Sequence, residues 1–527
     1  VAPSPIPCPI SINLPRELTV EEIGEIEDLF AQAALRAKEA GIDTVELHGA
    51  HGYLMAQFMS RYSNTRTDAY GGDLAGFLRF PLNVIQKVRK KVGPDYPIIF
   101  RLSADEKVPG GRGLQESKVM AKYLEQAGVD ALHVSAAVYG SVRFTVPPMS
   151  VPPGINVEAA AEIKKVTSVP VIAVGRIHDP YMAEGFLEQG FADLIALGRP
   201  SIADEDYPKK VSGADGGLED LRCCISCNQG CISRVFMGQP VSCLVNPAAG
   251  REEEMALVMA DQPKIVLIIG GGPGGMEAAR VAALRGHEVH LYEKESRLGG
   301  QLNLASMAPC KQEFAKVVRY LSTQVKKTGV NLHLNTEATR ETVSQIKPDV
   351  IIIATGSVPL RPNIPGLDQT NVATAWDVLK GEARPGRNSL IIGGGLVGAE
   401  TADFLAQFRG RKVTLVEMLP DIAGDMGGDS RHFLLERLKE KGVAIITGAE
   451  VKRVQDDSVI LACNGQEQCI SGFDVFVLAL GSRPQDDVAL ELKDTVEADH
   501  IFLIGDVKEP RKAIDAIREG AETARLI

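Results

Sequence analysis

Short apolar, β-branched runs recur through the first part of the chain, at Thr44–His48, Pro97–Leu102, Ala131–Ser135, Pro170–Val174 and Leu194–Leu197. Each predicts a strand buried on both faces, as in a parallel sheet, because near-continuous apolar sequence leaves no face for solvent. Between them, Ile23–Ala40, Asn83–Val92 and Val119–Ala127 repeat apolar residues at helical spacing and stop near Gly41, Gly93 and Gly128, as helices commonly do. Strand–helix alternation without a glycine-rich dinucleotide turn predicts part of a (β/α)8 TIM barrel, whose chemistry sits just after its strands. Five units leave three short of a full barrel.

The pattern then changes. Residues 201–260 show little periodicity and read as a connector folded around a metal. Beyond it, the strand pattern Lys264–Ile269 runs into Gly270, Gly272 and Gly275, and a second, Ser389–Ile392, runs into Gly393, Gly395 and Gly398. The late run Ile501–Asp506 reads as a return to the earlier sheet, so the second nucleotide-binding unit lies within the first. The predicted organisation is a partial barrel at 1–215, a four-cysteine connector at 216–260, one Rossmann-like domain at 261–384 and 485–527, and another at 385–484.

Composition narrows the partners. The chain has 527 residues, 45% hydrophobic and 24% charged, which is the balance of a folded multidomain protein. A net charge of −11 without a block of like charges argues against nucleic acid or an acidic membrane and for small molecules. No apolar run is long enough to span a membrane, and the first residues lack a charged segment followed by an apolar core, so a cytoplasmic protein is expected. Five of the nine cysteines fall between Cys223 and Cys243, a clustering that suits a metal in a reducing compartment better than a disulfide framework.

In the turn from Gly270 to Gly275 the first glycine permits a tight turn, the second admits a pyrophosphate and the third allows close packing of helix on strand. Glu293 closes the next strand pattern, where a carboxylate bonds ribose hydroxyls. The second copy repeats this with Glu417, whose charge would repel a 2′-phosphate, so NADH is favoured over NADPH. Together with Ala354-Thr355-Gly356, the turn Leu298–Gln301, and Ile504-Gly505-Asp506, this half resembles the flavoprotein reductases with two dinucleotide-binding domains. The resemblance implies FAD in the first fold, with Gln301 and Asp506 beside it, and NAD(P)H in the second.

Cys224, Cys227, Cys231 and Cys243 could hold either one tetrahedral zinc or a four-iron cluster on spacing alone. Their place between a barrel and a flavin reductase favours the cluster, since zinc carries no electrons. Cys223 breaks the spacing and is read as a bystander. In the barrel, His48-Gly-Ala-His51-Gly-Tyr53 stands at a strand end. Two imidazoles three residues apart could bond one carbonyl oxygen while Tyr53 protonates a carbon; a metal pair and ordinary packing are the alternatives.

The stretch from Pro5 through Phe80, with Pro15-Arg16-Glu17-Leu18-Thr19 and Asn64–Gly72, resembles the old yellow enzyme family of FMN-dependent ene-reductases. Barrel, cysteines and reductase in this order resemble its long branch, which includes 2,4-dienoyl-CoA reductase, trimethylamine dehydrogenase and the bile-acid Δ4-oxidoreductases. The resemblance implies that His48 and His51 bind the substrate carbonyl and that Tyr53 is the proton donor. It further implies that Arg101 lies at the flavin pyrimidine edge, and that Gly175 with Arg176 and Gly198 with Arg199 hold the FMN phosphate. Electrons would pass from NADH through FAD and a 4Fe–4S cluster to FMN, then to an activated C=C bond of an unsaturated carbonyl compound. The chain departs from the family with Ala75-Gly76-Phe77 in place of Glu-Asn-Arg. It keeps both histidines, where dienoyl-CoA reductases and amine dehydrogenases do not, which favours an enone or enoate. A dienoyl-CoA reductase, an amine dehydrogenase or demethylase, and a non-catalytic electron-transfer subunit are the rival readings; a homo-oligomer is left open.

Overall fold

The five apolar runs become β1 (Val45–Gly49), β2 (Ile98–Ser103), β3 (Ala131–Ser135), β4 (Val171–Ala173) and β5 (Leu194–Ile195), paired in parallel in chain order. The computed structural model describes residues 1–10, 13–214, 216–368, 371–463, 465–492 and 500–527, so the expected boundary at 215 lies outside the described residues. The chain divides into Val1–Gly198 and Arg199–Ile527.

In the first unit, helices follow the strands at Leu74–Val92, Leu114–Gln126, Val157–Lys164 and Pro180–Glu188. Alternate strand residues face them: Leu47, Phe100, Leu102, Leu132 and Val134 share one buried core with Ile23, Phe80, Val84 and Val88 of the helices. The intervening residues, Glu46 and His48 of β1, Arg101 and Ser103 of β2, and His133 and Ser135 of β3, therefore project to the other, inner face. This is the arc of a TIM barrel, with polar groups gathered at the C-terminal ends of its strands.

The helix after β1 begins at Leu74, nine positions before the periodicity at Asn83. Gly76 and Pro81 weaken the sequence signal, but Asp73 caps the helix by accepting from the Gly76 N–H at 2.8 Å, and Phe77, Leu78 and Phe80 are buried. Gly76 also accounts for the departure at residues 75–77. A Cβ there would lie 2.1 Å from the Gly71 carbonyl oxygen, so this backbone approach requires glycine.

The segment around Arg66 ties the chain start to the barrel. Its guanidinium, 4% exposed, pairs with Asp68 and donates to the carbonyls of Pro3 and Leu18 at 3.0 and 2.7 Å. Arg66→Ala leaves those acceptors unpaired and is expected to destabilise this unit by about 3 kcal/mol, read as a lower denaturant midpoint for its unfolding transition. Loss within 0.5 kcal/mol, roughly the scatter of surface changes, would show that the clamp contributes nothing.

The second unit contains two five-stranded parallel sheets. One has the order Ile501–Leu503, Val350–Ile353, Ile265–Ile269, Glu288–Tyr292, Asn331–His333. The other has the order Val372–Thr374, Val475–Leu478, Asn388–Ile392, Lys412–Val416, Ala444–Ile446. Ile501–Leu503 pairs with Val350–Ile353, so a late segment completes an early sheet. A three-stranded antiparallel sheet, Ala449–Gln455, Ser458–Cys463 and Gln466–Ser471, was not anticipated. Its core face is thin, with Val451, Val454, Val459 and Leu461 buried and charged or amide residues between. Short helices, among them Arg199–Ala203, Tyr207–Ser212 and Ile232–Phe236, interrupt the stretch expected to lack regular structure. Among the described residues no helix is long and apolar enough to cross a membrane.

Candidate functional site

At the mouth of the barrel arc the turn after β1 brings His48, His51 and Tyr53 together. The His48 ring lies 5.2 Å from that of His51 and 4.8 Å from that of Tyr53. His51 sits in the left-handed region at φ 60, and its backbone N–H donates to Ser103 Oγ at 3.0 Å, which holds the turn on β2. Its Nε2 is 2.7 Å from Ser135 Oγ. The His48 Nδ1 accepts from the Ala50 N–H at 3.3 Å, so the neutral ring carries its proton on Nε2.

Burial, and then the Arg101 charge, push the His48 imidazole down and take His51 to about 3. Both rings are therefore neutral near pH 7 and act as hydrogen-bonding dipoles. Tyr53 is 48% exposed and packs edge-on against Tyr139, with ring centroids 5.6 Å apart. The hydrogen bond between their hydroxyls, and secondarily burial, push Tyr139 up to about 12.

Arg101 lies level with His48 across the β1–β2 pair. Its Nε is buried without a hydrogen-bond partner, a donor left for a ligand, which fits the pyrimidine edge of a flavin. Gly175 and Arg176 follow β4, with Arg176 at φ 57 and its Nη1 donating to the Met149 carbonyl at 3.1 Å and to that of Val151. A Cβ on Gly198 would meet nothing within 4 Å. Arg199 heads its helix in the second unit, where its Nη1 donates to Asn228 Oδ1 at 2.7 Å and it lines the cysteine cavity.

Cys224, Cys227, Cys231 and Cys243 line one cavity with Ile202 and Ile225. The Ser242 N–H donates to the Gly230 carbonyl at 2.8 Å, which brings Cys243 back to the loop carrying the other three. Burial pushes the Cys243 thiol up to about 12 and Cys227 beyond it, so metal must displace their protons. Backbone N–H groups already point at the sulfurs: Ser226 to Cys224, Gln229 to Cys227, and Val245 and Asn246 to Cys243. N–H···S bonds to four thiols that share one cavity fit an iron–sulfur cluster. Among the described residues no group of three or more His, Cys, Asp or Glu is spaced for a single metal ion. Cys223 does not line the cavity.

The two glycine turns have one construction. A Cβ on Gly275 would lie 1.9 Å from the Gly270 carbonyl, and one on Gly398 1.8 Å from that of Gly393; neither helix could seat on its strand with any side chain there. Cβ positions on Gly272 and Gly395 meet nothing within 4 Å, leaving each helix N-terminus open for a pyrophosphate. Glu293 accepts from the N–H groups of Gly271 and Glu295 at 2.7 and 2.8 Å. Glu417 accepts likewise from Gly394 and Leu419 at 2.5 and 2.8 Å. Each carboxylate therefore fixes its turn and keeps lone pairs for ribose hydroxyls. Gln301 Nε2 lies 3.1 Å from Asp506 Oδ2 and 3.0 Å from Ser357 Oγ, so residues distant in sequence meet beside the first turn's sheet.

The sequence reading did not single out Glu46, Ser103, His133, Ser135 or Tyr139. A signal was present: polar residues two apart, Glu46 and His48, Arg101 and Ser103, His133 and Ser135, interrupt otherwise apolar strands and mark one face.

A buried, unpartnered arginine nitrogen on the inner face of the barrel arc, a four-thiol cavity and two dinucleotide-type turns fit a flavin-dependent, nicotinamide-linked oxidoreductase. Residues 4–215 match the NADH:flavin oxidoreductase / NADH oxidase family and residues 264–520 the pyridine nucleotide-disulphide oxidoreductase family. An NADH oxidase of Thermoanaerobacter brockii is 45% identical over 99% of this chain and 81% of its own length. A cinnamate reductase of Clostridium sporogenes is 38% identical over 100% of this chain and 81% of its own. The solved 2-naphthoyl-CoA reductase in complex with 2-naphthoyl-CoA superposes with a TM-score of 0.95 at 34% identity, covering 100% of this chain and 80% of that one. The chain belongs to the NADH:flavin oxidoreductase family, in the old yellow enzyme-related branch that joins an FMN barrel to a pyridine-nucleotide reductase. Its cofactors are FMN, with the first family, and FAD and NAD(P), with the second.

Proposed function

We propose that the protein is an NADH-dependent ene-reductase that reduces the activated C=C bond of an enone or enoate. The observation that carries this reading is the convergence of His48, His51 and Tyr53 beside the unpartnered Arg101 Nε. Similarity to a cinnamate reductase and a 2-naphthoyl-CoA reductase supports an unsaturated carbonyl substrate. Bound FMN would supply the hydride for the β-carbon, and Cys224, Cys227, Cys231 and Cys243 would hold a 4Fe–4S cluster that, with FAD, would connect it to NADH.

The chain's own residues do the rest. The His48 Nε2–H, with His51 beside it, polarises the substrate carbonyl as a neutral donor and makes the β-carbon electrophilic. Tyr53, exposed at the mouth, delivers a proton to the α-carbon, and Tyr139 steadies its hydroxyl. The Arg101 charge faces the flavin edge, with Gly175, Arg176, Gly198 and Arg199 assigned to its phosphate. Gly270, Gly272, Gly275, Glu293, Gln301 and Asp506 hold FAD, and Gly393, Gly395, Gly398 and Glu417 hold NADH; the boundary expected at 384 falls earlier, because Val372–Thr374 pairs with Val475–Leu478 in the sheet of the second domain. The partner is a small molecule, with neither nucleic acid nor membrane involved, in the cytoplasm.

Anaerobic NADH consumption, screened against a cinnamate, a 3-oxo-Δ4 steroid, an enoyl-CoA and a flavonoid, is expected to give a saturated product with at least one of them. Oxidation of an alkylamine with no alkene reduced would replace this reading with the amine dehydrogenase one.

Glu417 is expected to set the preference for NADH. Glu417→Gln keeps its bulk and removes the charge that opposes a 2′-phosphate, so the ratio of kcat/KM for NADH over NADPH should fall about tenfold, the equivalent of ~1.4 kcal/mol. Equal use of the two nucleotides by the unmodified enzyme would refute the assignment.

A further inference from the structure

One polar group at the inner face of the barrel arc has no part in the reaction as proposed. His133 stands level with Arg101, and Arg101 with His48, across the β3–β2–β1 pairs, so three basic side chains lie abreast. His133 is 7% exposed, and its Nδ1 lies 2.7 Å from Glu46 Oε2. Arg101 Nη1 is 3.9 Å from the other oxygen of the same carboxylate. Burial opposes ionisation of Glu46, yet its hydrogen bond to His133 and the nearby Arg101 charge hold it below the usual carboxylate range. An ionised carboxylate only accepts, so His133 Nδ1 carries a proton and Nε2 is the atom free to gain one. That Nε2, like the neighbouring Arg101 Nε, is buried without a hydrogen-bond partner. Two such nitrogens on adjacent strands are costly when left unpaired, and their shared face marks them for one ligand.

We propose that His133, oriented by Glu46, takes up a proton when the flavin beside Arg101 is reduced, a role that rests on the reading of the barrel as the FMN site. The flavin gains two electrons, supplied by NADH, and one proton, and so acquires a negative charge. A second proton from water forms the N–H bond at His133 Nε2, and the His133–Glu46 pair goes from net negative to neutral. The ionisable groups facing His133 are Glu46, Arg101, His48 and His51; across β4 its neighbour is the apolar Ile172. With both other imidazoles held neutral, Arg101 is the cation that opposes protonation of His133. The negative charge on the reduced flavin offsets it.

Redox titration of the holoenzyme between about pH 6 and 9 tests this. The FMN couple is identified as the one displaced by Arg101→Lys. In the unmodified enzyme its midpoint should fall by about 59 mV per pH unit over part of that range, two protons at ~29.6 mV each for a two-electron couple. In His133→Asn, and in Glu46→Gln, which removes the carboxylate that orients and charges the imidazole, the slope should drop to about 30 mV throughout. A slope of 30 mV in the unmodified enzyme, or an unchanged slope in His133→Asn, overturns the proposal. If Arg101→Lys displaces no flavin couple, the placement of FMN in the barrel is itself overturned.

Discussion

Tyr53→Phe is expected to slow alkene reduction by about 10²- to 10⁴-fold, the usual contribution of a general acid, while NADH bleaches the flavins at an unchanged rate. The substitution keeps the ring, its packing on His48 and its edge contact with Tyr139, and removes the hydroxyl with its hydrogen bond to Tyr139 and the proton proposed for the α-carbon. The phenol is exposed at the barrel mouth and belongs to the first unit, whereas the dinucleotide turns belong to the second. Its loss should therefore appear in one half-reaction alone. Rapid mixing separates the two halves. His48→Ala and His51→Ala should behave differently, weakening substrate binding as well as hydride transfer, because a neutral donor to the carbonyl acts in ground state and transition state alike. If Tyr53→Phe slowed flavin reduction by NADH as much as alkene reduction, or left both untouched, the proton-donor assignment would be wrong.

Cys227→Ala should uncouple the protein. The unmodified chain is expected to carry roughly four irons with acid-labile sulfide, and the variant to lose most of them, since Cys227 is one of four thiols around a single cavity. NADH should still reduce FAD. NADH-driven alkene reduction should fall by more than the ~10- to 100-fold typical of residues that merely orient a metal ligand. Alkene reduction driven by dithionite, which reaches the FMN directly, should survive and so exclude simple misfolding. Stoichiometric zinc in protein prepared without oxygen would sink the cluster assignment.

Much of this was legible in the chain. Strand Ala131–Ser135 was read to the residue, and the other barrel strands to within a residue or two, because a strand buried on one side by helices and on the other by the barrel interior must be apolar along most of its length. The glycine turns were legible for a harder reason: the 1.9 and 1.8 Å approaches at Gly275 and Gly398 admit no other residue, so local sequence alone encodes the close packing. Three of the spaced cysteines and the His48-to-Tyr53 segment could be picked out as candidates because each set lies within a few residues of chain, whereas Cys243 is brought back to the others by the Ser242–Gly230 hydrogen bond. The start of the helix at Leu74 was obscured because Gly76 and Pro81 disfavour helix locally, and burial of Phe77, Leu78 and Phe80 overrode them.

What sequence alone determined, then, is the order of elements and every group whose partners are near in the chain. Tertiary structure decided which distant groups meet. Glu46 reaches His133 across 87 positions, His51 reaches Ser135 across 84, and Gln301 reaches Asp506 across 205. Parallel pairing in register brings the first two together, and the return of Ile501–Leu503 to an early sheet brings the third. It also decided protonation. A histidine in the sequence carries no statement of its charge, whereas burial beside Arg101 takes His51 to about 3 and leaves it neutral near pH 7. Spacing along a chain fixes local geometry; desolvation and the fields of neighbouring charges arise only when separate strands share one face.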